Sequence, residues 1–145
     1  MNKSLVITKK YPISEFSSCI ITEENICIEN HNILVKGLWD TGSSESVISS
    51  DFVQKYNLQP IGTATVGTTG VTLKSNIYAI DFLLAQKQHI FLNVTESSQL
   101  CGSGFDMLIG LDVITLGDFT LTTTDDTICF SFRYPPKGLI DFTKE

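Results

Sequence analysis

In Ile33-Leu34-Val35-Lys36-Gly37-Leu38-Trp39-Asp40-Thr41-Gly42-Ser43-Ser44 an apolar run of strand character ends on a carboxylate, and a hydroxyl residue, a glycine and two more hydroxyls follow at once. An ionised aspartate beside such a strand is expensive to bury unless N–H and hydroxyl groups meet it. The turn Thr41-Gly42-Ser43 supplies both, and Gly42 lets the backbone approach the carboxylate closely. Taken alone, Asp-Thr-Gly also fits an Asx-turn at a strand end, with Thr41 and Ser43 satisfying local backbone groups. The flanking sequence has to separate the two readings.

On both sides, short β-branched and aromatic runs alternate with Gly, Asn, Ser and Thr, the texture of an all-β fold. Strands are expected at Ser18–Ile21, Ile26–Glu29, Ile33–Trp39, Thr63–Val66, Val71–Leu84, Ile90–Val94, Met107–Ile109, Phe119–Thr123 and Thr127–Arg133. Their number and spacing suit a closed or folded-over sheet. Helix is confined to Ser50–Tyr56, where Ile48, Phe52 and Tyr56 recur at four-residue steps behind a capping Ser49 or Ser50, and to a short turn at Asp112–Leu116 ended by Gly117. No internal repeat is visible, and the Asp-Thr-Gly triplet occurs once.

Composition narrows the function. The 145 residues suit one domain, 1–145, with the segments 1–32 and 134–145 as an extension and a tail. A hydrophobic share of 42% against 18% charged residues is that of a folding chain rather than a disordered one. The net charge of −6 lacks the basic footprint that a phosphate backbone requires, so nucleic acid is not an expected partner. Met1–Lys10 holds only a short apolar run before two lysines, so neither a membrane span nor a leader is expected there, and the expected location is cytoplasmic. The four cysteines, Cys19, Cys27, Cys101 and Cys129, form no C-x-x-C pair; no metal site is expected, and the thiols read as reduced and mostly buried. A serine or cysteine hydrolase would need a histidine base. Only His31 and His89 exist, Ser103 lacks the G-x-S-x-G elbow, and both histidines read as surface or packing residues. Gly67-Thr68-Thr69-Gly70 also matches the G-x-x-G of a KH domain, but the basic neighbours and helix pair of that module are missing.

With these elements in order, the chain resembles the aspartic peptidases of the retropepsin type, in which an Asp-Thr-Gly or Asp-Ser-Gly triplet follows an apolar strand. Ser46–Val53 looks like the segment after the triplet. Gly67-Thr68-Thr69-Gly70 looks like the tip of the flap hairpin, and Asp106–Ile114 is similar to the late two-hydrophobics-then-glycine motif with its short helix. The resemblance spans roughly Ile33 to Phe132. It implies an acid-protease barrel with an active site at a homodimer interface. It makes Asp40 the catalytic residue, with Thr41 bonding across the dimer, Gly42 supporting the carboxylate through its N–H, and Ser43 able to donate to an outer carboxylate oxygen. Leu108, Ile109 and Gly110 would pack under the active-site loop as structural residues. Leu111 stands where retroviral members commonly carry a dimer-tying arginine, so the subunit contact is expected to be built differently.

Metal-free peptide hydrolysis needs a base to activate water and an acid for the leaving amine, and two carboxylates sharing a proton provide both, as aspartic proteases generally do. Asp106 and Asp112 flank the late glycine motif without Thr-Gly or Ser-Gly after them, and Asp51, Asp81, Asp118, Asp125 and Asp126 lack that context too. A two-fold axis beside Asp40 solves the count. The expectation is a homodimeric aspartic endopeptidase acting on peptide or protein substrates, with no cofactor. The alternative is a catalytically weak or inactive dimerisation or peptide-binding module on the same fold.

Overall fold

In chain order the computed structural model, which describes residues 4–68 and 70–145 and only the backbone of residue 68, has ten strands. They are β1 (Leu5–Pro12), β2 (Ile21–Ile28), β3 (His31–Trp39), β4 (Val47–Ser49), β5 (Gly62–Thr68), β6 (Val71–Leu84), β7 (Gln88–Ser97), β8 (Met107–Ile109), β9 (Asp118–Thr123) and β10 (Thr127–Tyr134). Two short helices join them, α1 (Ser50–Lys55) and α2 (Leu111–Ile114). Among the described residues no helix is long and apolar enough to cross a membrane.

Seven strands pair in the order β2-β3-β8-β4-β7-β6-β5, and a further β2–β6 pairing closes six of them into a barrel. Closure removes the open edges that a sheet of this size would otherwise expose. β5 stays outside the ring and pairs on β6 alone, so the β5–β6 hairpin projects from the barrel wall. The change shows within β6 itself. Val71–Lys74 are exposed on both faces, whereas Tyr78, Ile80 and Phe82–Leu84 are buried. Inside the barrel Ile26, Val35, Ile48, Phe82, Val94, Met107 and Ile109 lose all contact with solvent, each worth about 1.5–3 kcal/mol of apolar burial.

A second sheet, β1-β10-β9, lies against this barrel. Trp39, the last residue of β3, is the joint: its ring meets Phe132 at 4.9 Å, Phe130 at 5.0 Å and Phe119 at 6.3 Å, and its Nε1–H donates to Thr22 Oγ1 at 2.9 Å. Tilted aromatic pairs of this kind add about 0.5–1.5 kcal/mol each beyond area burial. The residue immediately before Asp40 is therefore clamped.

The all-β expectation with two short helices holds, with corrections. No strand was expected over Leu5–Pro12, within the extension, yet β1 pairs with β10 from Leu5↔Tyr134 to Pro12↔Thr127. The expected strands Ser18–Ile21 and Ile26–Glu29 are replaced by the single strand β2, because Ser18 takes φ +65° and Glu29 and Asn30 form the left-handed turn into β3. β4 was not expected as a strand, and β5 runs through Thr68 rather than ending at Val66. The capping role of Ser49 is correct: its Oγ accepts from Phe52 N at 3.1 Å. The thiols are less buried than expected, with Cys19 and Cys101 exposed in a loop and a turn and Cys27 and Cys129 half-buried on strands. After β10 the tail adds no strand, and Leu139, Ile140 and Phe142 stand exposed.

Candidate active site

β3 and β8 run parallel, with Gly37↔Met107, Leu38↔Leu108 and Trp39↔Ile109 in register. The ladder continues one residue further, where Asp40 N donates to Ile109 O at 2.9 Å. Asp40 is thus placed by β8 as well as by its own strand. Its side chain is half-buried, its Oδ1 accepts from Gly42 N at 2.9 Å, and its carbonyl accepts from Ser43 N at 3.3 Å. Thr41 and Gly42 are exposed at the mouth of the turn. Ser43 Oγ donates to Glu45 O at 2.6 Å, two residues further along the chain.

The loop from Thr41 to Ser46 is braced from the late glycine motif. Leu111 N donates to Ser43 O at 2.8 Å. Ser46, with no solvent exposure, donates through Oγ to Asp112 Oδ1 at 2.6 Å and accepts from Gly110 N at 3.1 Å, while its own N donates to Asp112 Oδ2 at 2.9 Å. Asp112 also accepts from Val113 N at 3.0 Å in the first turn of α2. At Gly110 a Cβ would lie 2.7 Å from the Glu45 carbonyl and 2.8 Å from Ser43 O, so only glycine lets the two segments touch. Ile109 is fully buried below Asp40, and Leu108 is half-buried. Ile109 thus meets Asp40 and Gly110 meets the Ser43–Glu45 backbone, while Leu108 pairs with Leu38 and Val47. Ser46 and Asp112 were not singled out as braces, since nothing in their separate surroundings announces a contact across the chain.

Asp106 is likewise occupied: its Oδ2 accepts from Lys36 N at 2.8 Å and its carbonyl from Ser49 N at 2.8 Å. The Asp106 carboxylate therefore holds a backbone N–H, and the Asp112 carboxylate holds two backbone N–H groups and a hydroxyl.

The β5–β6 hairpin reaches Thr68↔Val71, so Gly67 and Thr68 belong to the ladder and the turn is shorter than the expected four-residue tip. Gly70 takes φ +82°, a conformation that suits glycine. Thr69 lies outside the described residues. Under the hairpin lies a cleft of about 490 Å³, walled by Val66 and Leu73 from the hairpin, Val47 and Leu108 from the barrel, and Glu96 from β7. Asp40 does not line this cleft; Leu108, which does, precedes in the chain the Ile109 whose carbonyl holds Asp40 N. The Glu96 carboxylate accepts from Tyr78 Oη at 2.6 Å and from Ser50 Oγ at 2.8 Å, which fixes a negative group in the cleft wall. Burial, and then the bond to Glu96, push the Tyr78 hydroxyl above its ordinary pKa.

No known family profile and no curated protein sequence matches the chain. Solved structures do. The EIAV protease, solved with an inhibitor, superposes with a TM-score of 0.54 at 14% identity, over 70% of this chain and 89% of its own. A retropepsin-like aspartic protease from Rickettsia conorii superposes with a TM-score of 0.53 at 15% identity, over 92% of this chain and 98% of its own. Identities this low speak to architecture alone. A six-stranded barrel carrying a projecting hairpin, two short helices and a strand-end Asp-Thr-Gly has the retropepsin-like fold.

Proposed function

We propose that the chain is an aspartic endopeptidase that works as a homodimer, with the Asp40 carboxylates of two protomers sharing one active site. The observation that carries this reading is the contrast among the carboxylates. Asp40 is held by the Gly42 N–H at an exposed turn, whereas Asp106 and Asp112 are committed to Lys36 N, Ser46 and Val113 N. The acid and base of the reaction then come from two copies of one residue.

At a two-fold axis the two carboxylates repel when both are ionised, so the pair holds one proton between them. The ionised member takes a proton from a water held between the two, and that water attacks the scissile carbonyl carbon. The protonated member polarises the carbonyl oxygen, and the proton taken from water passes to the leaving amine. Gly42 N fixes one oxygen of each carboxylate, and the Ser46–Asp112 brace keeps the loop from drifting. The substrate lies extended along the cleft under the β5–β6 hairpin, whose inner residues Val66 and Leu73 exclude water when it closes.

Incubating wild type and Asp40→Asn with a peptide library at mildly acid and at neutral pH tests the reading. Cleavage by the wild type that the substitution abolishes is the expected result. Equal cleavage by both overturns the mechanism, and cleavage by neither makes the fold a dimerisation or peptide-binding module.

A further inference from the structure

Cys27, Asp81 and His89 have no recognisable spacing in the sequence, yet the pairing of β2, β6 and β7 brings them together on the outer face of the barrel. Cys27 and Asp81 are partners at the last register pair of the β2–β6 seam. His89 faces Leu83 on β6, two residues along from Asp81 and so on the same side of the pleat. Their neighbours Ile26, Phe82 and Ile90 point the other way, into the core. One sulfur, one carboxylate oxygen and one imidazole nitrogen thus lie within 4.8 Å of one another. His89 Nδ1 is 2.8 Å from Asp81 Oδ1, and Cys27 Sγ donates to Asn32 Oδ1 at 3.0 Å. Cys27 and Asp81 also border an open hollow together with Phe91 and Asn93, which leaves room for an ion and its water.

We propose that Cys27, Asp81 and His89 bind one Zn²⁺ ion, with water or Asn32 Oδ1 in the fourth position. The donor set decides the metal. Thiolate, imidazole and carboxylate together suit a borderline-soft cation, whereas Mg²⁺ and Ca²⁺ take oxygen ligands. Zn–S of about 2.3 Å and Zn–N and Zn–O of about 2.0–2.2 Å make the edges of the tetrahedron roughly 3.3–3.7 Å, to be compared with ligand atoms that already lie within 4.8 Å of one another. On binding, the Cys27 thiol gives up its proton to solvent, and the His89 to Asp81 contact is exchanged for two bonds to the ion.

The position has a consequence for the fold. Among the described residues the β2–β6 ladder has three register pairs, Asn25↔Leu83, Ile26↔Phe82 and Cys27↔Asp81, and this short seam is what closes the barrel. An ion bonded to β2, β6 and β7 at once ties that seam from outside. Because the unfolded chain does not hold the three ligands together, the ion raises the melting temperature.

The test uses the purified, chelator-stripped full chain. Calorimetric titration with ZnCl2 is expected to give one ion per protomer, with affinity falling at least about tenfold in Cys27→Ser and in His89→Gln and unchanged in Cys101→Ser. Co²⁺ loading of the wild type should produce a thiolate-to-cobalt charge-transfer band. Should either variant fail to fold, mass spectrometry of alkylated wild type decides: Zn²⁺ is expected to protect Cys27 from iodoacetamide and to leave Cys101 reactive. Absence of binding, binding that survives Cys27→Ser, or equal alkylation of Cys27 with and without Zn²⁺ would each overturn the site. These readouts are independent of peptidase activity.

Discussion

Ser46→Ala removes one hydroxyl from the point where the Asp40 loop is fastened to the late glycine motif. That hydroxyl makes two bonds, a donation to the Asp112 carboxylate at 2.6 Å and an acceptance from Gly110 N at 3.1 Å. A hydrogen bond to a charged group contributes about 1.5–3 kcal/mol net, and a buried N–H left without a partner costs about 1–3 kcal/mol. Water cannot replace the hydroxyl readily, since Ser46 has 0% exposure and Gly110 is buried. Asp112 keeps the N–H groups of Ser46 and Val113, so the two contributions do not add in full. The expected loss is about 3 kcal/mol, or roughly 6–12 °C in melting temperature for a domain of this size. Trp39, the single tryptophan and 6% exposed, reports unfolding in urea by its fluorescence. Measurements belong at one protein concentration, because the stability of the proposed dimer depends on it. A cycle with Asp112→Asn should give a coupling of about 1–2 kcal/mol. A loss under about 1 kcal/mol, or additivity of the two substitutions, would refute the brace.

Two further substitutions probe the same region and the barrel. Gly110→Ala forces a methyl group to within 2.7 Å of the Glu45 carbonyl, so the loop backbone has to move; a loss of about 1–3 kcal/mol and a drop in kcat exceeding any change in KM are expected from unfolding curves and steady-state kinetics. Glu24 is 2% exposed, and burial pushes its carboxyl pKa up against the smaller opposing effects of the Thr22 hydroxyl and the Ala85 N–H. A folded-state pKa above the unfolded value of about 4.3 means a stabilising contribution complete at lower pH and lost as pH rises through the folded value. Glu24→Gln keeps an acceptor for Ala85 N, 2.7 Å away in the wild type, and escapes that loss. Its melting temperature should therefore gain on the wild type as pH rises from about 4 to 7, and a gap independent of pH would contradict the buried-charge account.

What could be read in the sequence follows from where the information lies. β6 and β8 were legible to the residue because each is rich in apolar and β-branched residues and has a sharp boundary, Gly70 before one and Gly110 after the other. β1 was missed because Lys9, Lys10 and Pro12 interrupt its pattern, and these residues are tolerated on an edge strand that pairs only with β10. β2 was broken into pieces by Thr22-Glu23-Glu24-Asn25, three of which are buried; Glu24 lies there because it receives the Ala85 N–H from a turn 61 positions away. β4 has three residues and owes its form to β7 and β8 on either side. At the site, Asp40 and Gly42 could be read locally because their hydrogen bond spans two positions. The Ser46–Asp112 brace spans 66 positions and exists only once the barrel has closed. The same holds for Cys27, Asp81 and His89, which only strand register unites.

The central claim is that one active site needs Asp40 from two protomers, and subunit mixing tests it most directly. Wild type is co-refolded with about a ninefold excess of Asp40→Asn protein, and cleavage is measured per wild-type protomer. Random pairing leaves only about one wild-type protomer in ten with a wild-type partner, so the rate should fall to about a tenth of that of wild type refolded alone. A rate that the excess leaves undiminished would mean that a single Asp40 suffices, and would contradict the account.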